Sequence, residues 1–121
     1  MKFHNLYADD AGESHWSTEK VALTEKTFAP PAKAIEVSQP EPVATTLFLR
    51  LRAGWDEPIH TTPVVQKLIC LRGAVRVTAS DGEARDIGVG DVWHMQDPHG
   101  KAQHTAVISD EDFEAVMVQY T

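Results

Sequence analysis

Gly54-Trp55-Asp56-Glu57-Pro58-Ile59-His60-Thr61-Thr62-Pro63-Val64-Val65-Gln66-Lys67-Leu68-Ile69-Cys70-Leu71-Arg72-Gly73 is the stretch whose reading decides the fold. Val64–Leu71 is rich in β-branched and apolar residues and is closed by Arg72-Gly73, which reads as a strand ending in a turn. His60, Thr62 and Gln66 are separated by even numbers, so on an extended chain their side chains leave by one face. Pro63 interrupts that alternation, since proline fits an edge or a bulge better than a central strand. Polar side chains on one strand face, flanked by apolar residues, are what a polar pocket inside a barrel requires.

Outward from this stretch the pattern continues. Thr45–Arg52 alternates, with Leu47, Leu49 and Leu51 on one face, and Ala74–Ser80 alternates again. Ser80-Asp81-Gly82-Glu83 is a hairpin turn, because Asp-Gly readily supplies the positive φ that tight turns need. Gly88-Val89-Gly90-Asp91 is a second turn, followed by strands over Val92–Gln96, Gln103–Ile108 and Phe113–Tyr120. Short strands at intervals near ten residues predict an all-β sandwich or barrel over residues 43–121. Residues 1–42 hold four of the seven prolines, which break any long element. They read as an arm with one or two short strands, packing on the barrel or on a partner subunit.

Set as G-x5-H-x-T-x3-Q-x6-G, the opening stretch resembles the first motif of the cupins, G-x5-H-x-H-x3-E-x6-G. Gly90-Asp91-Val92-Trp93-His94-Met95 begins the second cupin motif, with Gln96 where that motif has proline. Gln96-Asp97-Pro98-His99-Gly100-Lys101-Ala102-Gln103-His104-Thr105 aligns without a gap to a pattern like E-D-T-T-G-K-G-H-x-T, found in a subgroup of small cupins. That subgroup's H-x-x-P-x-x-Q is matched by His60, Pro63 and Gln66, and its opening segment is similar to Gly12-Glu13-Ser14-His15-Trp16. The resemblance implies a cupin-type double-stranded β-helix (a jelly-roll barrel) and a homodimer. It also implies that the family's four metal-ligand positions fall here on His60, Thr62, Gln66 and Gln103. Three of these carry side chains that neither ionise near neutral pH nor bind transition metals well.

The composition is that of one soluble domain of 121 residues, 42% hydrophobic and 24% charged. A net charge of −7 argues against a nucleic-acid or anionic-membrane surface. Cys70, the single cysteine, excludes an intramolecular disulfide and reads as a small buried hydrophobe. No signal-peptide pattern opens the chain and no run reaches membrane-spanning length, so a cytoplasmic protein is expected.

His60 is the leading site candidate, because neutral imidazole serves both as a metal ligand and as a general base. Gln66 brings an amide oxygen without the charge that offsets a dication, and a one-residue slip would turn His104 inward in place of Gln103. His60, Gln66 and His104 are therefore the candidate ligands for a divalent ion, and no cofactor is demanded. His94 and Gln96 share a strand face opposite Trp93 and Met95, and either face could point inward. With the first inward, His60, Thr62, Gln66, His94, Gln96 and Gln103 line one polar cavity. No nucleophile elbow, phosphate-cradling glycine loop or carboxylate pair accompanies them. Two functions stand: a barrel that binds a small polar molecule with metal binding weak or lost, and a metal-dependent isomerase, dioxygenase or lyase using His60 as ligand or base.

Overall fold

The computed structural model describes residues 1–27, 29–60 and 63–120, the side chains of Pro58, Ile59 and His60 excepted. Twelve strands form it: β1 (Lys2–Ala8), β2 (Ser14–Lys20), β3 (Thr24–Lys26), β4 (Ile35–Val37), β5 (Thr45–Leu51), β6 (Asp56–His60), β7 (Gln66–Arg72), β8 (Val75–Thr78), β9 (Ala84–Ile87), β10 (Val92–Gln96), β11 (Gln103–Val107) and β12 (Phe113–Gln119). A six-stranded sheet runs β2-β1-β10-β7-β12-β5, and a four-stranded sheet runs β6-β11-β8-β9. The all-β expectation therefore holds. No helix of the described residues is long and apolar enough to cross a membrane.

Period-two alternation sends one face of each sheet toward the other. From the larger sheet Leu6, Trp16, Leu68, Trp93 and Phe113 are buried, and from the smaller one Val75, Val77 and Ile87, all in a single cluster. Phe113, Leu6, Val75, Val77 and Ile87 have no exposed surface at all, and burying each such side chain stabilises the fold by about 1.5–3 kcal/mol. Cys70 joins them at 2% exposure, with its thiol pKa raised by burial, as its apolar neighbours in sequence predicted.

The first two strands are part of the larger sheet: β1 pairs in parallel with β10, and β2 in antiparallel with β1. The β3–β4 hairpin pairs only within itself among the described residues, and its side chains are mostly exposed. The motif's closing glycine has a steric cause. Gly73 has φ 73°, and a Cβ there would meet the Asp112 carbonyl oxygen at 2.6 Å. Any side chain would push apart the β7–β8 turn and the start of β12.

A candidate ligand cavity between the sheets

Between the sheets lies a cavity of about 190 Å³. Alternation along the strands fills its walls: Gln66 and Leu68 from β7, Trp93 and Met95 from β10, Gln103 and Thr105 from β11, and Phe113 and Met117 from β12. Leu49 and Leu51 of the edge strand β5 close one side. Most of this lining is hydrocarbon, aromatic ring or thioether, which corrects the expectation of a polar pocket. The reason is that the two glutamines and Thr105 share their faces with large apolar residues at every second position.

A hydrogen-bonded line of amides leads into the cavity from the surface. Thr45 Oγ1 donates to Gln119 Oε1 at 2.9 Å, and Gln119 Nε2 donates to Gln66 Oε1 at 3.1 Å. Gln66 Nε2 then donates to Met95 Sδ at 3.3 Å, a weak acceptor. Gln66 and Gln103 are buried, at 5% and 2% exposure. Two more polar side chains line the same space. The Trp93 indole nitrogen and the Thr105 hydroxyl are buried and have no hydrogen-bond partner among the described residues.

The structure thus brings Gln66 and Gln103 together. His60 lies in register with Gln103 on β6, while its side chain falls outside the described residues, as does the whole of Thr62. The other candidates part from this group. Trp93 and Met95 are 3% exposed and inward, so His94 and Gln96 face away from the cavity, which corrects the alternative that placed them in it. His104 also faces out, and its Nε2 pairs with Asp56 Oδ1 at 2.6 Å. A register shift does occur here, since Gln103 pairs with His60 but Thr105 with Glu57. Its extra residue belongs to β6, and β11 keeps strict alternation. The anticipated slip therefore leaves His104 outside, and it joins no metal site with Gln66.

On the outer face His94 sits against Phe3 and Tyr120, with ring centroids 5.9 and 5.6 Å away. Burial, and then the neighbouring Lys67 charge, hold its imidazole pKa below the ordinary value. Lys67 Nζ reaches Glu41 Oε1 at 2.9 Å, and the Tyr120 hydroxyl donates to the other Glu41 oxygen. This network pins residues near Glu41 across the back of the sheet, away from the cavity.

Sequence reasoning overlooked Thr105, Met117 and Phe113 as lining residues. The signal for Thr105 was available, since it stands two positions beyond Gln103 on the same strand. Met117 and Phe113 give none, because a buried alternating strand reads the same whether its inner face packs solidly or borders a void.

The positions carried over from the cupin motifs hold a poor donor set for a metal ion. Among the described residues no group of three or more His, Cys, Asp or Glu could hold one. The Gln66 amide oxygen, its one ligating atom, already accepts the Gln119 hydrogen bond. Neutral amides do not offset the desolvation of a dication, so the described residues do not fit a divalent metal.

Neither a family model nor a curated protein sequence matches this chain. Solved structures do. A Cupin 2 conserved barrel domain protein from Salinispora arenicola superposes with a TM-score of 0.50 at 18% identity, over 84% of this chain and 76% of that one. A cupin domain from Schizosaccharomyces pombe superposes with a TM-score of 0.53 at 13% identity, over 100% of this chain and 83% of its own. A Neisseria meningitidis protein gives 0.50 at 20% identity, over 69% and 84%. Likeness at these identities establishes the fold alone: the chain has a cupin-type fold.

Proposed function

We propose that this protein binds a small molecule in the cavity between its sheets, and that binding needs no resident metal. The observation that carries the reading is the cavity itself, with buried polar groups set in a mostly apolar wall. Such a combination is typical of ligand sites, where apolar surface supplies affinity and a few polar atoms fix orientation. An enzyme of the metal-assisted kind would need a charged ligand set or a proton carrier. The described polar lining residues, Gln66, Gln103, Thr105 and Trp93, titrate nowhere near neutral pH.

The test is a screen of small neutral compounds by methyl and indole resonances, on the wild type and on Leu49→Trp. Leu49 lies on the edge strand, so a larger side chain there fills the cavity with the least disturbance of the buried core. Compounds are expected to shift the resonances of Leu68, Met95 and Met117, and to lose that effect in Leu49→Trp. Shifts confined to outer-face residues such as Phe3 and His94, unchanged in the variant, would overturn the reading.

A further inference from the structure

His15 on β2 stands between two carboxylates that come from different sheets. Its Nε2 lies 2.8 Å from Asp9 Oδ2, in the turn that joins β1 to β2. Its Nδ1 lies 2.8 Å from Asp81 Oδ2, in the turn that joins β8 to β9. The first turn belongs to the six-stranded sheet and the second to the four-stranded sheet. An ionised carboxylate only accepts hydrogen bonds, and a neutral imidazole has a single N–H. Two such bonds at once therefore require a proton on both ring nitrogens.

The surroundings hold the two acceptors in place. Asp9 Oδ1 accepts the backbone N–H groups of Ala11 and Glu13 at 2.9 and 3.0 Å, and Asp81 Oδ1 accepts that of Glu83 at 2.9 Å. These bonds aim the second oxygen of each carboxylate at the ring. Tyr7 from β1 packs against the ring, with centroids 5.6 Å apart. The other acids of the two turns face elsewhere: Glu13 pairs with Lys101 of the β10–β11 loop at 3.0 Å, Glu83 pairs with Arg85 at 3.2 Å, and Asp10 is exposed. The hydrogen bond to Asp9, and then that to Asp81, raises the His15 pKa.

Loss of the proton must break one of the two bonds. Asp9 lies on the same hairpin as His15 and contributes more to holding the proton, so the neutral ring keeps Nε2–H on Asp9. Nδ1 then turns a lone pair toward Asp81 Oδ2, and the two repel. We propose that His15 is a proton-operated clip between the sheets, closed onto the β8–β9 turn while its ring is protonated and released from that turn when the proton leaves. Release is local. Ser14 N–H still donates to Ser80 Oγ, and Ser80 N–H to Ser14 Oγ, each at 2.7 Å, so the turn moves and the strands stay joined. Trp16 senses the movement, because its indole N–H donates to the Glu83 carbonyl in that turn at 3.2 Å. The clip lies outside the cavity between the sheets, and its operation needs no ligand.

Nuclear magnetic resonance of the full chain, titrated from about pH 5 to about pH 9, tests this. The His15 ring is expected to titrate with a midpoint above its ordinary value of about 6.5. Its Overhauser contact to the Asp81 methylene should fade with that midpoint, its contact to Asp9 should persist, and the Trp16 indole N–H resonance should move in step. His4 lies beside Trp16, with ring centroids 6.2 Å apart, but burial lowers its pKa, so its step falls on the acid side of the His15 step. In Asp81→Asn the amide oxygen can keep the Glu83 bond while the amide nitrogen donates to a neutral ring. There the His15 midpoint should fall below the wild-type one, and the contact between residues 15 and 81 should survive in alkali. In His15→Gln the step at Trp16 should vanish. A wild-type midpoint at or below about 6.5 would overturn the clip. So would an Asp81 contact that outlasts deprotonation, or a Trp16 step that remains in His15→Gln.

Discussion

Replacing Gln66 by Glu exchanges one amide nitrogen for oxygen at nearly constant shape, so the perturbation is almost purely one of charge. Gln66 is 5% exposed and receives a hydrogen bond from Gln119, while its other polar atom faces the Met95 sulfur. The carboxylate would keep one donor and gain none. Burial with so little support raises a carboxyl pKa toward about 8, from about 4.3 in the unfolded chain. With the folded value above the unfolded one, the penalty is absent below the unfolded pKa and grows as pH rises toward the folded pKa. At pH 7 it reaches about 2.7 pH units at 1.36 kcal/mol each, or roughly 3.7 kcal/mol. The charge-assisted bond from Gln119 returns about 1 kcal/mol of this. A net loss of about 2–3 kcal/mol lowers the melting temperature of a domain this size by roughly 10 °C. Thermal unfolding followed by circular dichroism should show that loss at pH 7, and almost none at pH 4. An unchanged melting temperature at pH 7 would mean that a positive group compensates the new charge, and the account of an uncharged cavity would be refuted.

Ala102 has φ 92° and is 5% exposed, just before Gln103. Ala102→Gly should be neutral to about 1 kcal/mol stabilising by urea titration, because relief of left-handed strain outweighs the added chain entropy, while Ala102→Val should cost about 2 kcal/mol or more; shifts of the same sign in both would contradict this. His15 is held between Asp9 and Asp81 at 2.8 Å each, and the hydrogen bonds to them, that of Asp9 first, raise its pKa, while the His15 bond lowers that of Asp9. A raised His pKa gives stability that is fully present below about 6.5 and fades as pH rises through the folded value, and a lowered Asp pKa gives stability that fades only in acid below about 3.9. The stability gap between wild type and His15→Gln should therefore be widest near pH 5 and narrow steadily toward pH 9; a gap that widens with pH would sink the assignment. The homodimer expected from the sequence is proposed to bury Phe48, 83% exposed on the edge strand β5. Antiparallel pairing of two β5 strands about Phe48 sets each Arg50 against Thr46 of the other copy and not against its like charge. Light scattering should find a dimer that Phe48→Asp converts to monomer, and a variant that stays dimeric would place the contact elsewhere.

The strand pattern was legible because its causes are local. Alternation in Gln66–Arg72 and Phe113–Gln119, and glycine-bearing turns at Gly73 and Gly82, report backbone geometry directly. That Gln103 and His104 face opposite ways was legible from alternation, but which of the two turns inward was not, and the structure sets Gln103 inward on β11. What the sequence hid was two-sided. Both faces of β10 carry residues able to line a site, and only pairing with β7, which sets Trp93 opposite Leu68 and Met95 opposite Gln66, selects the inner one. The apolar character of the cavity was equally hidden, because it comes from β5, β10 and β12 meeting across the fold rather than from any single motif. The position of the bulge was undecided for the same reason: a register shift near Gln103 can place its extra residue on either strand, and here β6 takes it.

The central claim is a neutral cavity that captures its ligand without a metal. Its most direct test is titration of acetophenone into protein exhaustively dialysed against a chelator, repeated after adding one equivalent of zinc. The account predicts saturable binding with the same affinity in both samples, and its loss in Leu49→Trp. Binding that appears only once zinc is present would contradict it and return the barrel to metal-dependent chemistry.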